Sequence, residues 1–121
     1  MSRISYVNGQ YVAHNLAQIH VEDRGNQFAD GVYEVIAVAQ TQLLDSDPHF
    51  DRLERSLQEL KIAMPLSRRV LYFVSKEIIR RNKINKGMIY IQISRGIAPR
   101  NHAFPESTLP SIILIGRQAP Q

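Results

Sequence analysis

MIYIQIS, residues 88–94, shows the clearest strand pattern in the chain. Ile89, Ile91 and Ile93 alternate with polar or amphipathic residues, so one face of the strand would be apolar and the other polar. A polar loop over residues 95–110 leads to a second apolar run, SIILIG at 111–116, which predicts the last strand. The alternation therefore predicts a sheet with one buried face and one face open to a ligand or partner.

The segments before this strand predict two tight turns. Asn8-Gly9 supplies the two positive-φ positions of a type I′ turn, so the opening residues are expected to form a hairpin. Residues 31–38 predict a long strand, which Gln40-Thr41 would turn back into a short partner at 42–44. Most strands are thus joined by short connections, as in an antiparallel sheet.

Two consecutive helices are predicted between these strands. Asp47 is expected to cap the first, with Pro48 at its first helical position, and Ser67 to cap the second, which would end at Asn82. Together the elements predict an α+β fold, a mostly antiparallel β-sheet with both helices packed on one face. The apolar stripes expected to face the sheet are Phe50, Leu53, Leu57 and Leu60 in the first helix and Val70, Leu71, Val74 and Ile78 in the second.

The composition limits the classes of function. The 121 residues contain 15 Lys and Arg, 11 Asp and Glu, and no cysteine, for a net charge of +4. Disulfides, thiolate catalysis and cysteine-ligated zinc are excluded, and we expect no metal site. The basic residues are scattered, so we do not expect nucleic acid as a partner. Nothing resembles a signal peptide or a membrane span, so we expect no membrane partner and a cytoplasmic location.

Two groups of residues on the predicted elements are candidates for a site, and each has an ordinary structural interpretation. Tyr33, Val35 and Ala37 share one strand face, where a tyrosine can equally serve packing. His49 and Arg52 lie three apart on a helix and share a flank. The alternative is a capping histidine and a solvated arginine paired with acidic neighbours.

The loop after residue 94 is a third candidate, because it is long for a compact domain. Arg100 and His102 together suit a carboxylate, since a guanidinium matches its two oxygens and an imidazole adds a donor. A rigid turn is the alternative. The chain has no phosphate-binding glycine loop, nucleophile elbow or metal-spaced histidine pair. Surface positions are expected for the four lysines, Lys61, Lys76, Lys83 and Lys86.

Three motifs resemble those of the class IV (fold-type IV) pyridoxal-phosphate aminotransferases. VEDRGNQFADGVYEV at 21–35 is similar to the family's amino-terminal signature, and HFDRL at 49–53 is similar to its second motif. RG at 95–96 with PRNHAFP at 99–105 resembles the version seen in D-amino-acid (D-alanine) aminotransferases. The resemblance implies the small domain of that family over residues 1–117, with residues 118–121 beginning an interdomain linker.

The resemblance also implies roles for individual residues. Arg52 would contact the phosphate of pyridoxal 5'-phosphate. In the family the loop with the third motif reaches into the active site of the neighbouring subunit, which implies a homodimer with composite sites. The residues implied to bind the substrate are Tyr33, Arg100 and His102 around its carboxylate and Val35, Ala37 and Tyr90 around its side chain.

The family's larger domain carries the lysine that binds the cofactor covalently, and we expect that domain to be absent from these 121 residues. We therefore expect no catalytic residue in this chain and no cofactor bound by it alone. The implied function is that of the small domain of an enzyme moving an amino group between a D-amino acid and a 2-oxo acid. The alternatives are the small domain of a branched-chain aminotransferase or aminodeoxychorismate lyase, and a non-catalytic dimerisation or ligand-binding module.

Overall fold

The computed structural model, which describes residues 3–105 and 108–120, places the alternating stretch in a strand, β5 (Gly87–Ser94). β5 pairs with β3 (Gly31–Ala39) on one side and with β6 (Ser111–Gln118) on the other, both antiparallel. The sheet has six strands in the order β2-β1-β6-β5-β3-β4, which confirms the predicted antiparallel α+β fold. The remaining strands are β1 (Ile4–Val7), β2 (Gln10–Ala13) and β4 (Gln42–Leu43).

Both predicted turns are confirmed by their backbone angles. Asn8 and Gly9 join β1 to β2 with φ values of 47° and 96°, as a type I′ turn requires. Gln40 and Thr41 join β3 to β4 with φ values of 51° and 62°. These tight turns hold consecutive strands in register, so the side chains on each face of the sheet follow directly from the sequence alternation.

The helices are α1 (Arg24–Phe28), α2 (Ser46–Leu60) and α3 (Arg68–Arg81). The predicted cap of α3 is confirmed, because the Ser67 hydroxyl accepts a hydrogen bond from the backbone N–H of Val70 at 3.2 Å. The predicted cap of α2 is wrong. Asp45, in a left-handed conformation, is the N-cap residue. Because the chain turns at Asp45, shortly after β4 ends, the helix begins at Ser46, before Asp47.

The core lies between one face of the sheet and the helices α2 and α3. The predicted inward positions Leu60 and Val70 are wrong, since these side chains are 37% and 42% exposed. Leu60 is the last residue of α2. Leu71 lies in the buried stripe of α3, and Val70 is rotated about 100° around the helix axis from Leu71, toward solvent. The fully buried residues that form the centre of this layer are Ile36, Phe50, Leu53, Leu57, Leu71, Ile78, Ile89, Ile91, Ile93 and Leu114.

On the opposite face of the sheet the short helix α1 contacts the end of β5, next to Gln92 and Ser94, and neither α2 nor α3 lies on this face. Alternate residues of β3, β5 and β6 point to this face and remain partly exposed. Within residues 3–105 and 108–120, no helix is long and apolar enough to cross a membrane. The fold therefore presents one broad sheet face and the strand edge beside α2 as the surfaces on which a site can form.

Candidate functional site

The open face of the sheet carries the residues that alternation assigned to it. Tyr33 is 63% exposed and stacks on Tyr90, with ring centroids 5.7 Å apart and planes 26° from parallel. Val35 pairs with Tyr90 across the β3–β5 ladder, and Ala37 is exposed two residues further along β3. The structure thus brings Tyr33, Val35, Ala37 and Tyr90 onto one surface, as predicted.

The two tyrosines differ in their surroundings. The Tyr90 hydroxyl donates a hydrogen bond of 2.7 Å to the side-chain oxygen of Gln92, and burial raises the pKa of Tyr90, with a smaller contribution from Tyr33. The ring of Tyr33 lies beside a concavity of about 160 Å³ between α1 and β3. A larger concavity of about 560 Å³, between β4 and α3, contains none of the predicted site residues.

A buried carboxylate lies on the other side of β3, directly after Tyr33. Glu34 accepts two hydrogen bonds of 2.8 Å from Arg52, through Nε and Nη2, and one of 2.8 Å from Nδ1 of His49. Burial alone would raise the pKa of Glu34, but the bonds and charges of Arg52 and His49 outweigh it and hold that pKa below its ordinary value. His49 and Arg52 therefore share Glu34 as their partner, and the alternative in which Arg52 pairs with acidic neighbours on its own helix is wrong.

Arg52 has the chemistry to hold an anion at the edge of β3. Glu34 fixes the plane of its guanidinium, while the side chain remains 58% exposed to solvent. A guanidinium held in this way can still donate from its outward Nη atoms to phosphate oxygens. The negative charge of Glu34 offsets the positive charge of Arg52. Further contacts with a phosphate would therefore have to come from residues outside this group.

The loop after β5 brings the other two predicted residues together. The guanidinium of Arg100 lies 5.1 Å from the centre of the Phe28 ring, and the imidazole of His102 lies 5.2 Å from it. Both side chains are exposed, so their polar atoms are accessible to a ligand. Phe28 is the last residue of α1, and sequence reasoning did not identify it as a platform for the two.

A buried ion cluster fixes the base of this loop. One oxygen of Asp30, Oδ2, accepts hydrogen bonds from Nε of Arg24 at 2.7 Å and from Nε of Arg95 at 2.8 Å. Burial would raise the pKa of Asp30, but the two arginines hold it below its ordinary value. Arg95 also donates to the backbone oxygens of Leu60 and Lys61, at the end of α2.

The predicted residues form three groups rather than one site. Within the described residues, no hydrogen bond or aromatic contact joins the open-face tyrosines to Arg100 or His102. None joins Arg52 to either of these two groups. Sequence reasoning missed Glu34, although an acidic residue at an inward position of β3, in phase with Ile36 and Val38, indicates that a buried partner is needed. It also missed the cluster around Asp30, in which Arg95 lies 65 positions away in sequence.

Comparison with known proteins gives one consistent family. The family model described as amino-transferase class IV matches residues 31–121. The D-alanine aminotransferase of Staphylococcus haemolyticus is 38% identical over 109 residues, which are 90% of this chain and 39% of that protein. The D-alanine aminotransferase of Listeria innocua is 39% identical over 101 residues, 83% of this chain and 35% of that protein. The chain thus spans less than half the length of these relatives.

Solved structures share the fold. The branched-chain amino acid aminotransferase of Escherichia coli has a TM-score of 0.90 at 19% identity, over 98% of this chain and 40% of that one. The branched-chain amino acid aminotransferase of Thermoproteus uzoniensis with norvaline has a TM-score of 0.83 at 18% identity, over 100% and 42%. The 4-amino-4-deoxychorismate lyase of Pseudomonas aeruginosa has a TM-score of 0.73 at 26% identity, over 96% and 40%.

Proposed function

The chain belongs to the class IV aminotransferase family, and from this premise we propose that it is the small domain of an enzyme that moves an amino group between a D-amino acid and a 2-oxo acid. The observation that carries the proposal is the 38% identity to a D-alanine aminotransferase over 90% of the chain. In this proposal residues 1–117 form the domain and residues 118–121 begin the linker to the larger one.

The first task of this domain is to hold the carboxylate that every amino-acid substrate shares. Arg100 and His102 both contact the ring of Phe28 and are exposed, which suits an anionic group. Tyr33 adds a hydroxyl donor from the open sheet face. An arginine placed on one side of the bound substrate favours the enantiomer whose carboxylate points to that side, which gives the D-specificity.

The second task is to contact the cofactor. Bound pyridoxal 5'-phosphate supplies the electron sink for the amino-group transfer. The exposed guanidinium of Arg52 fits its phosphate, because Glu34 orients the plane while the outer edge faces solvent. One arginine is a partial contribution to a phosphate site, so the remaining contacts would come from the larger domain.

The covalent step belongs outside these 121 residues in our proposal. All four lysines are exposed and lie on helix ends, on α3 or in the turn before β5, away from the open sheet face. A lysine that serves as nucleophile and base needs a depressed pKa, which an apolar or cationic pocket provides. The four exposed lysines of this chain are Lys61, Lys76, Lys83 and Lys86.

A homodimer with shared sites completes the proposal. Within the described residues, Arg100 and His102 form no hydrogen bond or aromatic contact with Tyr33 of the same chain, which is compatible with a carboxylate site formed between two subunits. The loop also exposes large apolar side chains, among them Phe104 and Leu109 at 67% and 88%. Such side chains are typical of surfaces covered in an assembly.

A fusion enzyme tests the proposal. The chain would be joined to the part of the Staphylococcus haemolyticus D-alanine aminotransferase that lies beyond the aligned segment, and assayed with pyridoxal 5'-phosphate. We expect transamination of D-alanine with a 2-oxo acid and no transamination of L-leucine. Activity with L-leucine instead would assign the branched-chain alternative, pyruvate release from aminodeoxychorismate would assign the lyase, and a folded but inactive fusion would favour the non-catalytic module.

A further inference from the structure

Arg24 reaches from α1 to the backbone on both sides of His102. Its Nη1 atom donates to the carbonyl oxygen of Asn101 at 2.7 Å and lies 3.5 Å from that of Ala103. Its Nε atom is bound to Asp30, and its side chain is 3% exposed. One buried guanidinium therefore connects the Asp30 carboxylate to the carbonyl oxygens of the residues before and after His102, a predicted substrate-binding residue.

The same guanidinium lies against the aromatic ring that supports the site. It is 4.7 Å from the centre of the Phe28 ring, the ring that Arg100 and His102 also contact. Arg24 thus contacts both the backbone of the loop and the Phe28 ring on which Arg100 and His102 lie. The contact with Asp30, at the start of β3, connects both to the rigid sheet.

Resting on the proposed function, we infer that Arg24 and Asp30 are positioning residues that hold the loop with Arg100 and His102 against the ring of Phe28, where the two side chains are available to a substrate carboxylate. Neither residue touches the substrate. Their effect passes through the hydrogen bonds to Asn101 and Ala103 and through the packing of Phe28.

The geometry of the guanidinium, rather than its charge, carries this role. A planar guanidinium can donate to Asp30 with Nε and to the loop with Nη1 at the same time, whereas an ammonium group is a single point that cannot span both. Burial makes the loss costly, because the Asp30 carboxylate, whose side chain is 6% exposed, would keep only one of its two arginine donors. A lysine at position 24 would therefore keep the positive charge and lose the spacing.

Nuclear magnetic resonance of the 121-residue chain tests the inference without any ligand. We expect nuclear Overhauser contacts between the rings of Phe28 and His102 in the parent chain and in the control Arg55→Met, an exposed arginine of α2. Arg24→Met and Arg24→Lys should lose them, with the shifts of α3 unchanged, and Asp30→Asn should weaken them. If Arg24→Met does not fold, Arg24→Lys, which keeps the charge, decides. Contacts that persist in folded Arg24→Lys would overturn the inference.

The fusion enzyme adds a functional readout. In it, Arg24→Lys should raise KM for D-alanine on the order of 10- to 100-fold, with a smaller change in kcat and unchanged retention of pyridoxal phosphate, because misplacement of a substrate-holding group costs about this much. A KM equal to that of the parent fusion would contradict the inference. A fusion with no D-alanine activity refutes the proposed function, and the ring contacts in the isolated chain then decide the positioning role by themselves.

Discussion

Glu34→Gln tests whether the buried carboxylate of β3 holds α2 and its Arg52 in place. The side chain of Glu34 is 5% exposed and accepts three hydrogen bonds of 2.8 Å from Arg52 and His49. Glutamine has one acceptor oxygen, and its NH₂ group would face N–H donors. A hydrogen bond to a charged group contributes about 1.5–3 kcal/mol. Solvent screens the half-exposed Arg52, so we expect a total loss of about 1–3 kcal/mol in the free energy of unfolding.

Urea unfolding followed by circular dichroism measures this loss, with Glu59→Gln as the control. Glu59 is exposed on the same helix, and its replacement should change the free energy of unfolding by less than about 0.5 kcal/mol. The urea midpoint of Glu34→Gln should fall while the m-value stays the same. A Glu34→Gln midpoint equal to that of the parent would show that the three hydrogen bonds do not hold β3 to α2.

The pH dependence gives a second check on the same residue. The pKa of Glu34 is lower in the folded chain than its ordinary value of 4.5, so the unfolded chain takes up the proton first as the pH falls. The stabilisation by the Glu34 carboxylate is therefore present above about pH 4.5 and is lost as the pH falls through the folded pKa. The stability difference between parent and Glu34→Gln should shrink in that range. A difference that stays at its neutral-pH size down to about pH 3 would refute the reasoning.

The other predictions concern the two site arginines and the contacts that fix α3. In the fusion enzyme, Arg100→Ala should raise KM for D-alanine by roughly 10- to 100-fold and leave cofactor retention unchanged. Arg52→Ala should instead weaken cofactor retention, measured by dialysis. The reverse pattern in the steady-state and dialysis measurements would overturn both assignments. Asn82→Ala removes hydrogen bonds to the backbone N–H and C=O of Ile4. It should lower the free energy of unfolding by about 1–3 kcal/mol in urea titrations. A smaller loss would mean that the end of α3 is held by packing alone. Gly116→Ala would place a Cβ 2.7 Å from Cγ2 of Ile78 and should cost about 1–3 kcal/mol in the same assay; unchanged stability would show that α3 moves away without cost.

The parts of the fold that sequence predicted are those set by local periodicity. Ile89, Ile91 and Ile93 alternate with open-face residues, and a period of two is sufficient to assign their faces. The same alternation placed Tyr33 and Tyr90 on one surface, which the structure confirms. The loop after β5 is identified as a candidate by its length and by Arg100 and His102, and the family resemblance then implies a role for these two residues.

The contacts that sequence did not predict join residues far apart in the chain. Asp30 and Arg95 are 65 positions apart, and they meet because β3 and β5 pair Gly31 with Ser94. Strand register of this kind depends on tertiary packing, so no local pattern indicates it. The cap of α2 failed for a related reason: the hairpin before it, rather than the best capping side chain, decides where the helix starts.

Reaction of the chain with cofactor and substrate tests the central claim most directly. One portion of the purified 121 residues and of the fusion enzyme would be incubated with pyridoxal 5'-phosphate alone, reduced with borohydride and analysed by mass spectrometry. A second portion, not reduced, would be incubated with pyridoxal 5'-phosphate, D-alanine and 2-oxoglutarate as amino acceptor and assayed for pyruvate. We predict pyruvate and one covalent adduct per subunit in the fusion, on the added segment, and neither from the chain alone. Stoichiometric modification of one of its own lysines together with pyruvate formation by the isolated chain would contradict the account.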